Sequence, residues 1–342
     1  MYQMFEHMDC VDVGVKIKLN ENLTVQFHNN NHVVGATSIS VFIRKPNNKV
    51  VHILYSSDMG NSLTQDLQPF LKSEDLPRKC NLFISEATYN NPERSFNRKD
   101  AIRERKELCE LLKNAMQENK RVLFATFSFA RSQALISLLY DELKDEEWFQ
   151  ETPVVMDGLL MNNINSTYLR VLEEDDKKYF EEVLSMRNLK LNKGYDGTIA
   201  CLSKRTSGIY FASSGFCSAG RILSYLPSFL GSKKDIVILT GYCGAEGSVG
   251  WKLMNPNQKT VTIEKNVIGK RAEIRQLKTF SSHIGYQQLL DLYCEMRCDK
   301  ILVHHSDEGK YKFCEDAKNY LKSKGSTTQV VPVDKGSNQF IL

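Results

Sequence analysis

The sequence predicts an α/β protein of two domains, and three observations lead to that expectation. Short β-branched runs separated by Asn, Gly and Pro dominate the first ninety residues, which is typical of strands. From about Lys99 onward, apolar residues at helical spacing alternate with short apolar runs, the pattern of a parallel sheet covered by helices. A chain of 342 residues is also long enough to form two separate cores.

The predicted elements fall into three parts along the chain. The first part, residues 1–95, contains short predicted strands at 23–27, 37–44, 50–55 and 81–85. The second part, residues 96–257, alternates between the two types: helices at 101–119, 131–143, 165–187 and 219–229, and strands at 121–124, 154–155, 208–212 and 235–240. The third part, residues 258–342, contains predicted strands at 259–263, 272–279, 300–303 and 328–333 and helices at 286–297 and 311–323. Segments rich in Pro and Asn mark both boundaries.

The composition excludes some classes of protein and leaves others open. No apolar run is long enough to span a bilayer, and the first residues lack the pattern of a signal peptide, so no membrane partner is expected. Nine scattered cysteines, an odd number, favour a reducing compartment, the cytoplasm or the nucleus of a eukaryote. A net charge of +4 permits a polyanionic partner but does not require one.

Five acidic or histidine residues are candidates for a metal-dependent site. They lie at the ends of apolar runs or beside Gly and Ser: His32, Asp58, Glu86, His283 and His304. Strand ends at the edge of an open sheet are the usual place for a site, and zinc accepts imidazole and carboxylate ligands. A single such residue is more often a hydrogen-bonded turn residue. Five together favour a metal-dependent hydrolase.

Eight segments, in order, resemble the motifs of the β-CASP branch of the metallo-β-lactamase superfamily, a branch of RNA-processing nucleases. They are NHVVGATSISVFI, ILYSSDMGN, ISEATYNN, FATFSFARSQALISLL, FASSGFCSAGR, ILTGYCGAEGSVGWKL, FSSHIGYQQLL and ILVHHSDEGK. The resemblance implies an αββα metallo-β-lactamase sandwich made from residues 1–95 and 258–342, with a β-CASP domain inserted at 96–257. It also implies hydrolysis of RNA phosphodiester bonds in RNA processing or decay, either endonucleolytic or from the 5′ end.

The same resemblance assigns a role to each candidate residue. Two zinc ions are implied, with His32 as a ligand of the first, His304 as a ligand of the second and Asp58 bridging both. Glu86 would orient His283, which would donate a proton to the leaving oxygen. We prefer His304 to His305 as the ligand because successive side chains of a strand point in opposite directions.

The middle part offers candidate groups for binding the substrate. Arg131 is predicted to begin a helix, where anions are attracted. Ser214, Gly215 and Gly220 follow a predicted strand, and backbone N–H groups in such turns can cradle phosphates. Taken singly, these turns are better explained as ordinary α/β turns. The resemblance implies RNA, or alternatively single-stranded DNA, in a cleft between the domains.

One motif of the family, H-x-H-x-D-H, does not occur in the sequence. Three explanations stay open: an N-terminally truncated chain, a separate complementing N-terminal polypeptide, or a non-catalytic relative. We favour truncation, which would leave the chain inactive or weak alone, of low stability and with a partial zinc site. Two other functions are open, a non-catalytic scaffold and a metallo-hydrolase of another substrate. The chain could also form a homodimer.

Overall fold

The computed structural model of the protein describes residues 8–95, 97–244, 246–306 and 309–334, with the backbone alone for 64–66. These residues form two compact units. The first unit contains the described residues up to Leu67, residues 71–97 and the described residues from Ser282 onward. The second unit contains residues 68–70 and the described residues from Arg98 to Ser281.

The described residues form strands that we number along the chain. These are β1 Lys16–Lys18, β2 Leu23–Asn29, β3 Thr37–Arg44, β4 Val50–Tyr55, β5 Leu82–Glu86, β6 Arg121–Ala125, β7 Val154–Asp157, β8 Leu189–Asn192, β9 Gly208–Ala212, β10 Ile236–Thr240, β11 Thr260–Ile263, β12 Asn266–Gly269, β13 Glu273–Leu277, β14 Lys300–His304 and β15 Gln329–Pro332.

The helices are numbered in the same way. They are α1 Arg98–Gln117, α2 Arg131–Leu143, α3 Glu147–Glu151, α4 Leu159–Val171, α5 Glu174–Leu184, α6 Tyr195–Lys204, α7 Ile222–Leu230, α8 Val249–Met254, α9 Tyr286–Glu295 and α10 Lys310–Ser323. Short 3-10 helices cover Ser62–Leu67 and Pro92–Arg94. Among the described helices, none is both long and apolar enough to cross a membrane.

The first unit contains one sheet in its described residues, in the order β1-β2-β3-β4-β5-β14-β15. Strands β1 to β4 pair antiparallel, whereas β4, β5, β14 and β15 pair parallel. Helices α9 and α10 bury their apolar sides against one face, where Leu54 and Phe83 contact the core formed by Leu289 and Phe313. Because a strand alternates its side chains between two faces, the neighbours of Leu54 and Phe83 point the other way.

That other face carries apolar side chains that remain partly exposed. One row consists of register partners on neighbouring strands: Phe27, Ile39, Tyr55, Ile84, Leu302 and Val331. All but Leu302 are half-buried. A second row contains Val25, Val41 and Ile53, which are also half-buried. A contiguous apolar surface of this kind favours association.

The second unit has a parallel sheet in the order β13-β10-β6-β9-β7-β8. Its strands are buried along their length at β6, β7, β9 and β10, as expected of a parallel sheet with covered faces. The hairpin of β11 and β12 also belongs to this unit.

The return to the first unit occurs later than the sequence suggested. We expected it at residue 258, but β13 pairs in parallel with β10 along all five of its residues. Residues 258–281 therefore belong to the second unit, and the first unit resumes at Ser282. The Pro- and Asn-rich segment near Pro256 is a turn before the β11–β12 hairpin and not a domain boundary.

We expect the half-buried face of the first sheet to cause self-association. Replacing Val25 and Val41, which are register partners, by Thr keeps the β-branched shape and adds a hydroxyl to the face. The double variant should associate less at a given concentration, as measured by sedimentation velocity. Val267→Thr is the control, since Val267 is 69% exposed but lies on the hairpin of the second unit. Equal association of all three proteins would contradict the expectation.

Candidate metal centre

All five candidate residues lie in the first unit, near the carboxyl ends of its central strands. Glu86 ends β5 and His304 ends β14, and the two are register partners in the parallel pair. Asp58 follows β4, and His32 follows β2. His283 is the second residue of the returning segment and forms an isolated bridge with Gly60. The fold therefore brings together residues that are distant in sequence.

His32, Asp58 and His283 form one group that could hold a metal ion. One ligand atom from each lies within 4.8 Å of the other two. The Nε2 atom of His32 is 3.9 Å from Oδ2 of Asp58, and the rings of His32 and His283 lie 4.6 Å apart. All three side chains are half-buried, with 40% of the Asp58 side chain exposed. They converge at one partly open position.

The first histidine is oriented by the backbone of the returning segment. The Nδ1 atom of His32 is 3.3 Å from the carbonyl oxygen of Ser282, so the ring donates from Nδ1. A histidine that donates from Nδ1 to a carbonyl presents a basic Nε2, the arrangement common among metal-binding histidines. In His32 that Nε2 is the atom turned toward Asp58.

Glu86 is fully buried and bonded to three donors. Its Oε1 accepts from the Met59 N–H at 2.6 Å and lies 3.3 Å from Nδ1 of His283. Its Oε2 accepts from the Thr88 N–H at 3.1 Å. Burial alone would raise the pKa of this carboxyl, but His283 and the other donors outweigh it and hold the pKa below its usual range. Glu86 is therefore a carboxylate that positions His283.

His305, which strand alternation places away from the site, contacts it directly. Its Nδ1 lies 2.9 Å from Oδ1 of Asp58, and Asp58, Glu86 and His305 form a second group of ligand atoms within 4.8 Å. Alternation requires an extended chain, but the backbone of His305 has φ = +47°. The strand ends at His304, and the left-handed backbone of His305 turns its own side chain toward Asp58.

His304 has a different environment. Its ring stacks on Tyr55 at a centroid distance of 5.2 Å, and its Nε2 is buried without a hydrogen-bond partner in the described structure. Burial, together with the adjacent His305 ring, lowers the pKa of His304 and favours the neutral imidazole that a metal requires.

The donor set as a whole fits zinc. It consists of imidazole nitrogens and carboxylate oxygens, and the buried Nε2 of His304 is a polar atom that a metal would satisfy. Within the group of His32, Asp58 and His283, the first two residues offer zinc an imidazole and a carboxylate.

Arg131, predicted to bind substrate, makes close contacts within the second unit. It begins α2 and is 9% exposed, and its guanidinium donates to the carbonyl oxygen of Phe280. The same group lies 5.8 Å from the Phe280 ring. These contacts attach the end of the second unit to α2, and substrate binding by Arg131 stays a prediction.

Ser214, Gly215 and Gly220 form the predicted turn after β9, and its glycines are required sterically. A Cβ on Gly215 would lie 2.7 Å from the Phe127 ring, and one on Gly220 would lie 2.7 Å from the Ser213 carbonyl oxygen. Gly220 also has φ = +79°. The Ser214 hydroxyl is buried and has no hydrogen-bond partner in the part of the chain that the structure describes. It is the polar group of this turn that a ligand could satisfy.

No pattern in the sequence predicted the buried ion pair that lies beside this turn. Asp157 ends β7 and is fully buried, with Nε of Arg221 at 3.2 Å from its Oδ1. The Tyr225 hydroxyl donates to the other carboxylate oxygen at 2.6 Å. The pair fixes the segment after Gly220 against the strand end.

Comparison with known proteins gives one family match. Residues 132–253 match the family model of the Beta-Casp domain. The match lies within the second unit and confirms the expected β-CASP domain.

Several curated proteins are similar over most of the chain. An RNase J-like protein of Methanocaldococcus jannaschii is 24% identical over 306 residues, 88% of this chain and 68% of that protein. Ribonuclease TTHA0252 of Thermus thermophilus is 26% identical over 75% of this chain and 58% of its own length. Endoribonuclease YSH1 of Candida glabrata is 21% identical over 96% of this chain and 42% of its own length. The chain thus spans between 42% and 68% of the length of these relatives.

Gly60 is expected to be essential for the geometry of the centre. A Cβ at this position would overlap the carbonyl oxygen of Asn31, the residue before His32. Gly60 also forms the isolated bridge with His283. Gly60→Ala should lower the free energy of unfolding by about 3 kcal/mol or more and weaken zinc binding. Gly325→Ala is the control, since Gly325 has φ = +76° but open space around it, and should cost about 1–2 kcal/mol. Equal effects on chemical denaturation would mean that the close approach of Gly60 to Asn31 does not limit stability.

Proposed function

We propose that this chain, which belongs to the β-CASP branch of the metallo-β-lactamase superfamily, carries metal-binding and proton-transfer groups for RNA phosphodiester hydrolysis. The observation that carries the proposal is the convergence of His32, Asp58 and His283, with His283 held by the buried carboxylate of Glu86. The relatives are ribonucleases and an endoribonuclease by name, which supports RNA as the substrate class.

His32 and Asp58 would hold the first zinc ion. Asp58 also lies against His305, so its two carboxylate oxygens face different histidines and suit a bridging role. His304 and His305 are candidates for the second ion, because one has a buried Nε2 lacking a partner and the other contacts Asp58. When bound, zinc supplies Lewis acidity toward phosphoryl oxygens and a nucleophile at neutral pH.

His283 is the proposed general acid. Its Nδ1 proton is held by Glu86, which fixes the tautomer and stabilises the imidazolium. A proton on Nε2 can then be given to the oxygen that leaves phosphorus. Glu86 keeps its charge in this arrangement, because its three donors compensate for its burial. In this pair Glu86 orients the ring, and His283 donates the proton.

The proposal predicts zinc binding and RNA cleavage that depend on separate residues. Calorimetric titration of the chain with zinc should show binding that Asp58→Asn weakens by about tenfold or more. With zinc present, a labelled single-stranded RNA should be cleaved, slowly if the family needs further ligands. His283→Ala should reduce the rate by about 10²-fold or more.

His52→Gln is the control for the histidine variant, since His52 lies on β4 and bonds to Ser40 and the Lys79 carbonyl. It should leave both zinc binding and cleavage unchanged. A loss of zinc in His283→Ala would make His283 a ligand instead of the acid. RNA binding without zinc and without cleavage would overturn the proposal and favour the non-catalytic scaffold.

Glu86→Gln tests the orienting role by itself. The amide keeps the size of the side chain but weakens the interaction that fixes the His283 tautomer and stabilises its charged form. We expect kcat to fall by about 10- to 100-fold with little change in KM or zinc content. Steady-state kinetics of the variant and the parent protein, with the zinc content measured on the same samples, tests this expectation. An unchanged kcat would exclude the proposed role.

A further inference from the structure

Two cysteines face each other at the start of the β5–β14 pair. Lys79 and Arg297 form an isolated parallel bridge just before these strands. The Arg297 N–H donates to the Arg78 carbonyl at 2.7 Å, and the Cys80 N–H donates to the Arg297 carbonyl at 3.2 Å. Lys79 and Arg297 are separated by the same number of residues as the register partners Leu82 and Lys300. In this register Cys80 lies opposite Cys298.

The two side chains meet in the core beneath the helices. Cys80 is 8% exposed and belongs to the core cluster of the first unit, and Cys298 packs against that cluster while remaining half-buried. Because register partners of a parallel pair place their side chains on the same face, both thiols are directed to this side of the sheet. All nine cysteines are in the thiol form.

This placement matches the geometry of a disulfide. Neighbouring strands lie about 4.8 Å apart, and a disulfide requires Cα atoms about 4.4–6.8 Å apart with the Cβ atoms directed toward one another. Register partners on adjacent strands satisfy the first condition, and both side chains pack at the same core cluster on one face of the sheet.

The two thiols differ in exposure, since Cys80 is 8% exposed whereas Cys298 is half-buried. An oxidant therefore reaches Cys298 first, which makes Cys298 the nucleophile of the pair and Cys80 the resolving thiol.

We propose that Cys80 and Cys298 form a reversible disulfide when the protein meets a peroxide. The Cys298 thiolate attacks one peroxide oxygen and becomes a sulfenic acid, and the other oxygen leaves as water after taking a proton. The Cys80 sulfur then displaces the sulfenic hydroxyl, which leaves as a second water with the Cys80 proton. Two thiols lose two electrons and the peroxide gains them. Reduction by a dithiol restores both thiols.

The bond would join the two chain segments of the first unit covalently. The chain between residues 80 and 298 contains residues 98–281 of the second unit, so the disulfide closes a long loop of the unfolded chain and limits its freedom. It lies at the beginning of β5 and β14, whereas Glu86 and His304 lie at their ends. That distance is about 20 Å, six residues at roughly 3.3 Å each, so the bond stabilises the unit without reaching the metal centre.

The test uses the full chain in a Cys10→Ser background, because Cys10 is exposed and could link two molecules. The protein is treated with a small excess of hydrogen peroxide, alkylated, digested and analysed by mass spectrometry without reduction. We expect one dominant cross-linked peptide pair containing Cys80 and Cys298, about two mass units lighter than the two thiol peptides together. Oxidation should raise the apparent Tm by roughly 5 °C or more, reversibly with dithiothreitol.

Cys294→Ser is the matched control. Cys294 is half-buried and packs against the same cluster as Cys298, so its loss should leave the cross-link and the Tm shift intact. Cys298→Ser should abolish both, and Cys80→Ser should leave a stable oxidised form of Cys298 that a sulfenic-acid probe labels. If Cys80→Ser fails to fold, the peptide map of the parent protein still decides. A dominant bond to Cys294, or only mixed over-oxidation without a Cys80–Cys298 pair, would overturn the proposal.

Discussion

The carboxylate of Glu86 connects the separate chain segments that form the metal centre. It is fully buried at the end of β5 and accepts from Met59, beside Asp58, and from His283 in the returning segment. A buried carboxylate costs several kcal/mol unless its oxygens are satisfied. The positions of Met59 and His283 are therefore constrained by the same charge, and the spacing of the candidate ligands depends on it.

The parallel pairing of β5 and β14 makes this arrangement possible. Their residues match from Leu82 with Lys300 to Glu86 with His304, although most of the second unit lies between them in sequence. Joining such distant segments costs little additional chain entropy, because the cost of closing a loop grows only with the logarithm of its length. The buried apolar residues Phe83, Ile301 and Val303 provide a large favourable contribution to the pairing.

Much of this arrangement was predictable from local pattern. The apolar run before Glu86 and the run before His304 are buried strands with a polar residue at the carboxyl end, as their sequences indicated. The helices α1, α2, α9 and α10 were also predicted, because their apolar residues recur at helical spacing over several turns. The buried side of a helix can be predicted because its apolar residues recur at helical spacing in the sequence.

The remaining features depend on partners that no local pattern specifies. Strand β13 has the sequence EIRQL, and nothing in its residues says that it pairs with β10 and not with the first sheet. Alternation also places His305 opposite His304, but it holds only while the chain is extended. The backbone of His305 has φ = +47°, which ends the strand and brings the His305 ring to 2.9 Å from Asp58. The alternation of a strand therefore does not predict side-chain direction in a site at the end of that strand. The backbone turn that ends the pairing also redirects the side chain.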